Sequence, residues 1–127
     1  MIEFVSVSQA SIMQSDMLIL AETTYDENIL GSTAPWIVLP YLAKPYESQA
    51  DWDISNDHSE SEYISSISNS AAANAALTAI VNLSNQGKHI FIGCYDYNVK
   101  RSHLSTLFDI MEDLFLEEAP ELRMMGG

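Results

Sequence analysis

Positive charge is scarce in this chain. Its 127 residues include five Lys and Arg against eighteen Asp and Glu, which gives a formal net charge of −13. Proteins bind nucleic acid by neutralising phosphates with Lys and Arg, so we do not expect a nucleic-acid partner. The same charge repels anionic membrane surfaces. A basic protein surface is the complementary partner, whereas solubility is the simpler role for the surplus acid.

Cysteine and long apolar runs are also scarce. Cys94 is the only cysteine, so no internal disulfide forms and nothing indicates an oxidising compartment. No apolar run approaches the roughly 18 residues of a membrane-spanning helix. Glu3 and several serines interrupt the first residues, which therefore lack the pattern of a signal peptide. We expect a cytoplasmic location, or one within an intracellular or particle assembly, without export through a signal peptide.

Four short segments are rich in β-branched, aromatic and other apolar residues. They are 2–8, 17–21, 36–39 and 89–95. In 2–8 apolar residues fall on both alternating sets of positions, which favours a strand covered on both faces, as in an α/β sheet. Residues 11–22 also fit a helix, and periodicity does not separate the two structures in so short a run. A strand over 17–21 is the favoured interpretation.

Two longer segments have helical periodicity. The first covers about 60–85, from a capping box at Ser59 and Glu62 to a terminating glycine at Gly87. The second covers about 102–118, with an apolar stripe on one side and most acids outside it. Helices alternating with strands predict a small single-domain α/β sandwich with a partly parallel sheet of three to four strands. We assign 1–121 to this domain and 122–127, which ends in Gly126 and Gly127, to a short tail.

The turn over 94–103 is the main candidate site. It follows the last predicted strand and opens the last predicted helix, a position where open α/β sheets bind ligands. Cys94 and His103 are the catalytic candidates, as a thiolate nucleophile and its base. The ligand-binding candidates are Asp96, Asn98, Lys100, Arg101 and Ser102. The alternative is that Cys94 is a small buried residue at a strand end.

The histidines and one acidic run concern two further kinds of site, for a metal and for a protein partner. The three histidines have no metal-binding spacing such as H-x3-H, so we predict neither a metal site nor a cofactor. An acidic run over 51–62 is either a solvated helix face or a surface for a basic partner. In the second case Trp52, Asp53 and Asp57 are the partner-binding candidates.

These observations rank two functions. The first is a small acidic, non-catalytic interaction or assembly component that binds a protein partner or copies of itself. It rests on the charge balance and on the lack of a catalytic motif. The alternative is a small enzyme, or an anion- or nucleotide-binding domain, with its site at the 94–103 turn.

Overall fold

A parallel sheet organises the computed structural model, which describes residues 1–8, 15–30, 36–44, 57–118 and 120–124. Within these residues five strands pair in the order β3-β2-β4-β1-β5, each pair parallel. The strands are β1 (Ile2–Ser6), β2 (Met17–Leu20), β3 (Trp36–Val38), β4 (Ile90–Cys94) and β5 (Leu122–Met124). The helices are α1 (Glu27–Leu30), α2 (Asp57–Ser68), α3 (Ala71–Asn85) and α4 (His103–Leu114).

The predicted α/β class is confirmed, with differences in the sheet. The expected three to four strands, partly parallel, are five parallel strands in the described part of the chain. The fifth is β5, which lies in the segment assigned to the tail. Its three residues pair with β1, from Ile2 opposite Leu122 to Phe4 opposite Met124. Leu122–Met124 therefore belongs to the sheet, whereas Gly126 and Gly127 lie outside the described residues.

Both faces of the sheet are apolar. Successive residues of each strand point to opposite sides, and both sets of side chains include buried apolar residues. One face packs with buried residues of α2, α3 and α4, and its members are Ile2, Phe4, Ile19, Ile90 and Ile92. The opposite face packs with Tyr25 and with Leu30 of α1, and its members are Val5, Leu18, Leu20, Trp36 and Phe91. The fully buried β4 is the middle strand of five, as its sequence predicts.

Gly93 makes room for a tryptophan on the α1 side of the sheet. A Cβ atom at this position would lie 2.7 Å from Cζ3 and 2.8 Å from Cη2 of Trp36. These separations are too short for carbon atoms, so the indole of β3 can lie over β4 only if residue 93 has no side chain.

The predicted single helix over 60–85 is wrong, because the chain breaks between α2 and α3. The Ser70 hydroxyl oxygen accepts the Ala73 N–H at 3.0 Å and so begins α3. The Asn74 side-chain amide donates to the carbonyls of Ile67 and Ser70, at 2.9 and 2.8 Å, and bridges the two helices. Ser and Asn bind nearby backbone groups in place of the helical ladder, which is the physical reason for the break.

The predicted helix boundaries are correct at some ends and wrong at others. Gly87 ends α3 with φ of 96°, while the Lys88 N–H donates to the Leu83 carbonyl at 3.1 Å, as in a Schellman motif. The capping box at Ser59 is wrong, since α2 begins at Asp57 and Ser59 lies within it. The last helix spans His103–Leu114 rather than 102–118, with Ser102 as its N-cap.

Candidate functional site

The candidate site lies between the carboxyl ends of β2 and β4, the point where the sheet topology reverses direction. From β2 the chain continues to β3 at one edge of the sheet, whereas from β4 it continues through α4 to β5 at the other edge. Such a reversal leaves a crevice beyond the strand ends, and open α/β sheets bind their ligands there. We call this the switch-point crevice. Its ionisable side chains are Glu22, Lys44, Asp96 and His103.

His103 forms the floor of the switch-point crevice. It is the first residue of α4, it is fully buried, and its Nε2 lies 2.8 Å from the Ala21 carbonyl oxygen. A carbonyl only accepts, so Nε2 carries the hydrogen, and in the neutral ring Nδ1 holds the lone pair. Burial is the main cause that lowers the pKa of His103 to about 4, so the ring is neutral near pH 7.

Glu22 forms one wall of the switch-point crevice. It follows β2, is 9 % exposed, and its Oε2 accepts the Tyr95 backbone N–H at 2.8 Å. Burial raises the pKa of Glu22, while the Tyr95 N–H and the Lys44 charge act against that shift. The loop after Glu22 is tied to β4, because the Tyr95 hydroxyl donates to the Thr24 carbonyl at 2.7 Å.

Asp96 and Lys44 form an ion pair at the switch-point crevice. The Lys44 Nζ lies 3.6 Å from Asp96 Oδ2, and His103 Nδ1 lies 3.8 Å from the same oxygen. The Asp96 side chain is 38 % exposed, yet its Oδ2 is buried and accepts no hydrogen bond from the described residues. One ligand atom each from Glu22, Asp96 and His103 can be chosen so that all lie within 4.8 Å of one another.

Tyr63 connects the floor to the segment that carries Lys44. This fully buried residue of α2 donates its hydroxyl hydrogen to the Leu42 carbonyl at 2.7 Å. Its ring packs edge-on against His103, with 5.5 Å between the ring centroids. Leu42 ends a 3-10 turn, Pro40–Leu42, two residues before Lys44. The lysine is therefore positioned by packing on α2 as well as by its ion pair.

The environment of Cys94 is opposite to what a nucleophile requires. The residue is fully buried at the end of β4, and burial is the main cause that raises the pKa of its thiol to about 12. Nucleophilic cysteines have a lowered pKa. The sequence suggested positive potential beside the thiol, but Asp96 and Glu22 both contribute negative charge there. The catalytic role of Cys94 stays a prediction, and this environment does not favour it.

The Ser102 and Asn98 side chains stabilise the 94–103 turn through hydrogen bonds to its backbone. The Ser102 hydroxyl donates to the Val99 carbonyl at 2.7 Å and accepts the Leu104 N–H at 3.1 Å. The Asn98 side chain accepts the Lys100 N–H at 3.2 Å, at the start of a 3-10 turn over Val99–Arg101. Asn98, Lys100 and Arg101 are exposed, so only Asp96 and His103 of the seven predicted residues form walls or floor of the switch-point crevice.

The predicted partner-binding residues are almost entirely outside the described part of the chain. Trp52 and Asp53 lie outside it, and Asp57 is the first residue of α2.

Sequence reasoning missed Glu22 and Lys44. Glu22 is one acid among eighteen and Lys44 lies in an irregular segment, so neither belongs to a motif. One signal for Glu22 was present: it directly follows a predicted buried strand, as Asp96 does. The carboxyl ends of parallel strands lie on the same side of the sheet, so a parallel pairing of β2 with β4 would have placed the two acids together.

No protein-family model, curated protein or solved structure matches this chain. Among the described residues, no helix has the length and apolar character needed to cross a membrane. The site itself is therefore the basis for proposing a function.

Proposed function

We propose that the protein binds a small polar ligand, with a cationic or hydrogen-bond-donating group, in the switch-point crevice. The observation that carries this proposal is convergence. Four ionisable side chains from separate chain segments meet at the topological reversal of the sheet, three of them at most 10 % exposed. Removing charged groups from water costs stability, and ligand sites carry a small number of convergent polar groups of this kind.

The composition of the crevice selects the kind of ligand. Glu22 and Asp96 provide acceptor oxygens and His103 provides a ring nitrogen, against the single donor group of Lys44. An amine, amidine or hydroxyl group complements this set. A phosphate is repelled by the two carboxylates, while Lys100 and Arg101 are exposed on the neighbouring turn. The anion- or nucleotide-binding alternative is thus not favoured. The other part of that alternative, an enzyme with its site at the 94–103 turn, stays a prediction.

The test is ligand binding to isotopically labelled protein in the presence of a metal chelator. The panel contains primary amines, amidines, nucleosides and nucleoside phosphates. We expect amine- or amidine-bearing compounds to shift the amide resonances of residues 21–24, 95–98 and 103–105. Asp96→Asn should weaken this binding, and Asp113→Asn, a matched change at an exposed acid of α4, should not. Binding that is equal in both variants, or no shift at these residues, would refute the proposal.

A second function, docking of a basic protein segment, is favoured by a groove at the end of α4. The groove has a volume of about 300 Å³ and is lined by Glu112, Phe115, Leu116, Pro120 and Leu122. Leu116 is 74 % exposed. The adjacent exposed acids are Asp113, Glu117 and Glu118, while Glu121 is paired with Arg123 at 3.5 Å. Apolar lining with acids beside it complements a segment that has an apolar anchor flanked by Lys or Arg.

The docking proposal extends the interaction function predicted from the composition. A suitable probe is a short peptide with a central Leu-Phe pair and Lys on both sides. We expect Leu116→Asp to abolish binding, whereas Ile64→Asp, a matched change at an exposed apolar residue of α2, should leave it intact. Equal binding to the two variants would show nonspecific charge attraction and refute a groove-specific partner.

A further inference from the structure

We infer that the switch-point crevice binds a divalent first-row transition-metal ion through Glu22, Asp96 and His103. This inference rests on the proposed function and deepens it, because it names one class of cation that the site accepts. Imidazole nitrogen and carboxylate oxygen both bind such ions, and three protein ligands leave a coordination position open. Nothing in the sequence spacing suggested it, since the three ligands are 74 and 7 residues apart along the chain.

The distances suit one ion with small side-chain movements. Zinc binds nitrogen and oxygen at about 2.0 to 2.2 Å, which places neighbouring ligand atoms of a tetrahedral site roughly 3.3 Å apart. His103 Nδ1 and Asp96 Oδ2 are already at 3.8 Å, and the full set lies within 4.8 Å. A contraction of about 0.5 to 1.5 Å is within reach of side-chain rotation.

Hydrogen bonds already orient two of the three ligands. His103 donates Nε2–H to the Ala21 carbonyl, which directs the Nδ1 lone pair toward the carboxylates. Glu22 is held through Oε2 by the Tyr95 N–H, so its position does not depend on an ion. Metal-binding histidines and carboxylates are oriented in this way by groups outside the coordination sphere.

Asp96 has a buried acceptor oxygen that can bind a cation. Its buried Oδ2 accepts no hydrogen bond from the described residues, and the nearest cationic group, Lys44 Nζ, lies at 3.6 Å. Buried carboxylate oxygens normally have hydrogen-bond donors or a metal. In the metal-free chain the Lys44 ammonium balances part of the charge of this site. An ion that binds there displaces the ammonium, so Lys44 competes with the metal.

Competition by Lys44 gives a test that ordinary surface binding does not mimic. Zn2+ affinity is measured by titration calorimetry, and Mn2+ binding by paramagnetic broadening of amide resonances. We expect one ion per chain, with broadening centred on residues 21–23, 95–97 and 103–105. Lys44→Met should bind Zn2+ about tenfold more tightly, because a like charge is removed from the site. His103→Gln and Asp96→Asn should each weaken binding at least tenfold.

The variants are chosen to preserve the fold. Gln at position 103 keeps an amide donor for the Ala21 carbonyl, and the amide spectrum of each variant verifies folding. His89→Gln is the matched control. His89 pairs with Glu3 at 3.4 Å near the amino-terminal ends of the strands, whereas the switch-point crevice lies at their carboxyl ends. This control should bind Zn2+ like the wild type. Affinity unchanged in His103→Gln and Asp96→Asn, or weakened in Lys44→Met, would overturn the inference.

The two proposals fail separately. Amine binding in chelator without any localised metal binding would refute the metal inference and leave the proposed function standing. Absence of both would refute the two together.

Discussion

Acidification of the metal-free protein should lower its free energy of unfolding, and His103 should be a main cause of this loss. The folded-state pKa of this residue is lowered to about 4 from 6.5, mainly by burial. As the pH falls from 6.5, the unfolded chain takes up a proton before the native state does, so the free energy of unfolding decreases. A difference of about 2.5 pH units corresponds to about 3 kcal/mol, most of it lost by the time the pH reaches the folded-state value.

Glu22 acts in the opposite direction over part of the same range. Its folded-state pKa is raised above 4.5 by burial, so the native state takes up this proton more readily than the unfolded chain. Stability from Glu22 therefore increases as the pH falls through the raised value. The wild-type protein should consequently lose less than the His103 contribution alone.

Urea unfolding of wild type and two variants separates these contributions. Measured in chelator between about pH 7 and about pH 4.5, His103→Gln should have a smaller loss of stability on acidification than wild type, and Glu22→Gln a larger one. The opposite signs exclude a general effect of altering the switch-point crevice. The reasoning is refuted if His103→Gln retains the full wild-type pH dependence, since the buried neutral imidazole would then not be its source.

Two substitutions and one reactivity measurement test the packing and the thiol. Gly93→Ala should cost about 1 to 3 kcal/mol in unfolding free energy, because the new methyl clashes with the Trp36 ring; a variant of wild-type stability would contradict this packing. Tyr63→Phe should cost about 1 to 3 kcal/mol by leaving the Leu42 carbonyl without its buried donor, and amide resonances near Lys44 should shift; an unchanged spectrum there would show that Tyr63 does not position the lysine. The Cys94 thiol, with its pKa raised to about 12, should react with a disulfide reagent at least about a thousandfold more slowly in the native state than in urea; comparable rates would restore the nucleophile hypothesis.

Local patterns predicted the elements whose signal lies within a few residues. The apolar run that forms β4, the cap at Ser102 and the terminating glycine at Gly87 depend on neighbouring residues alone. The break before α3 also has a local cause, the Ser70 cap, but the apolar stripe over 60–85 outweighed it in the sequence interpretation. Strand β5 is three residues long, too short for periodicity to distinguish it from a tail.

The sequence by itself determined the α/β class, the central buried strand and the acidic character of the surface, because composition and short-range periodicity encode them. The tertiary structure alone decided the strand order and therefore the site. β2 and β4 are distant in the chain, and only their parallel pairing brings Glu22 beside Asp96 and His103. Burial beside the switch-point crevice also raises the pKa of the Cys94 thiol. The sequence did not reveal this shift, because desolvation depends on neighbours that the linear sequence does not specify.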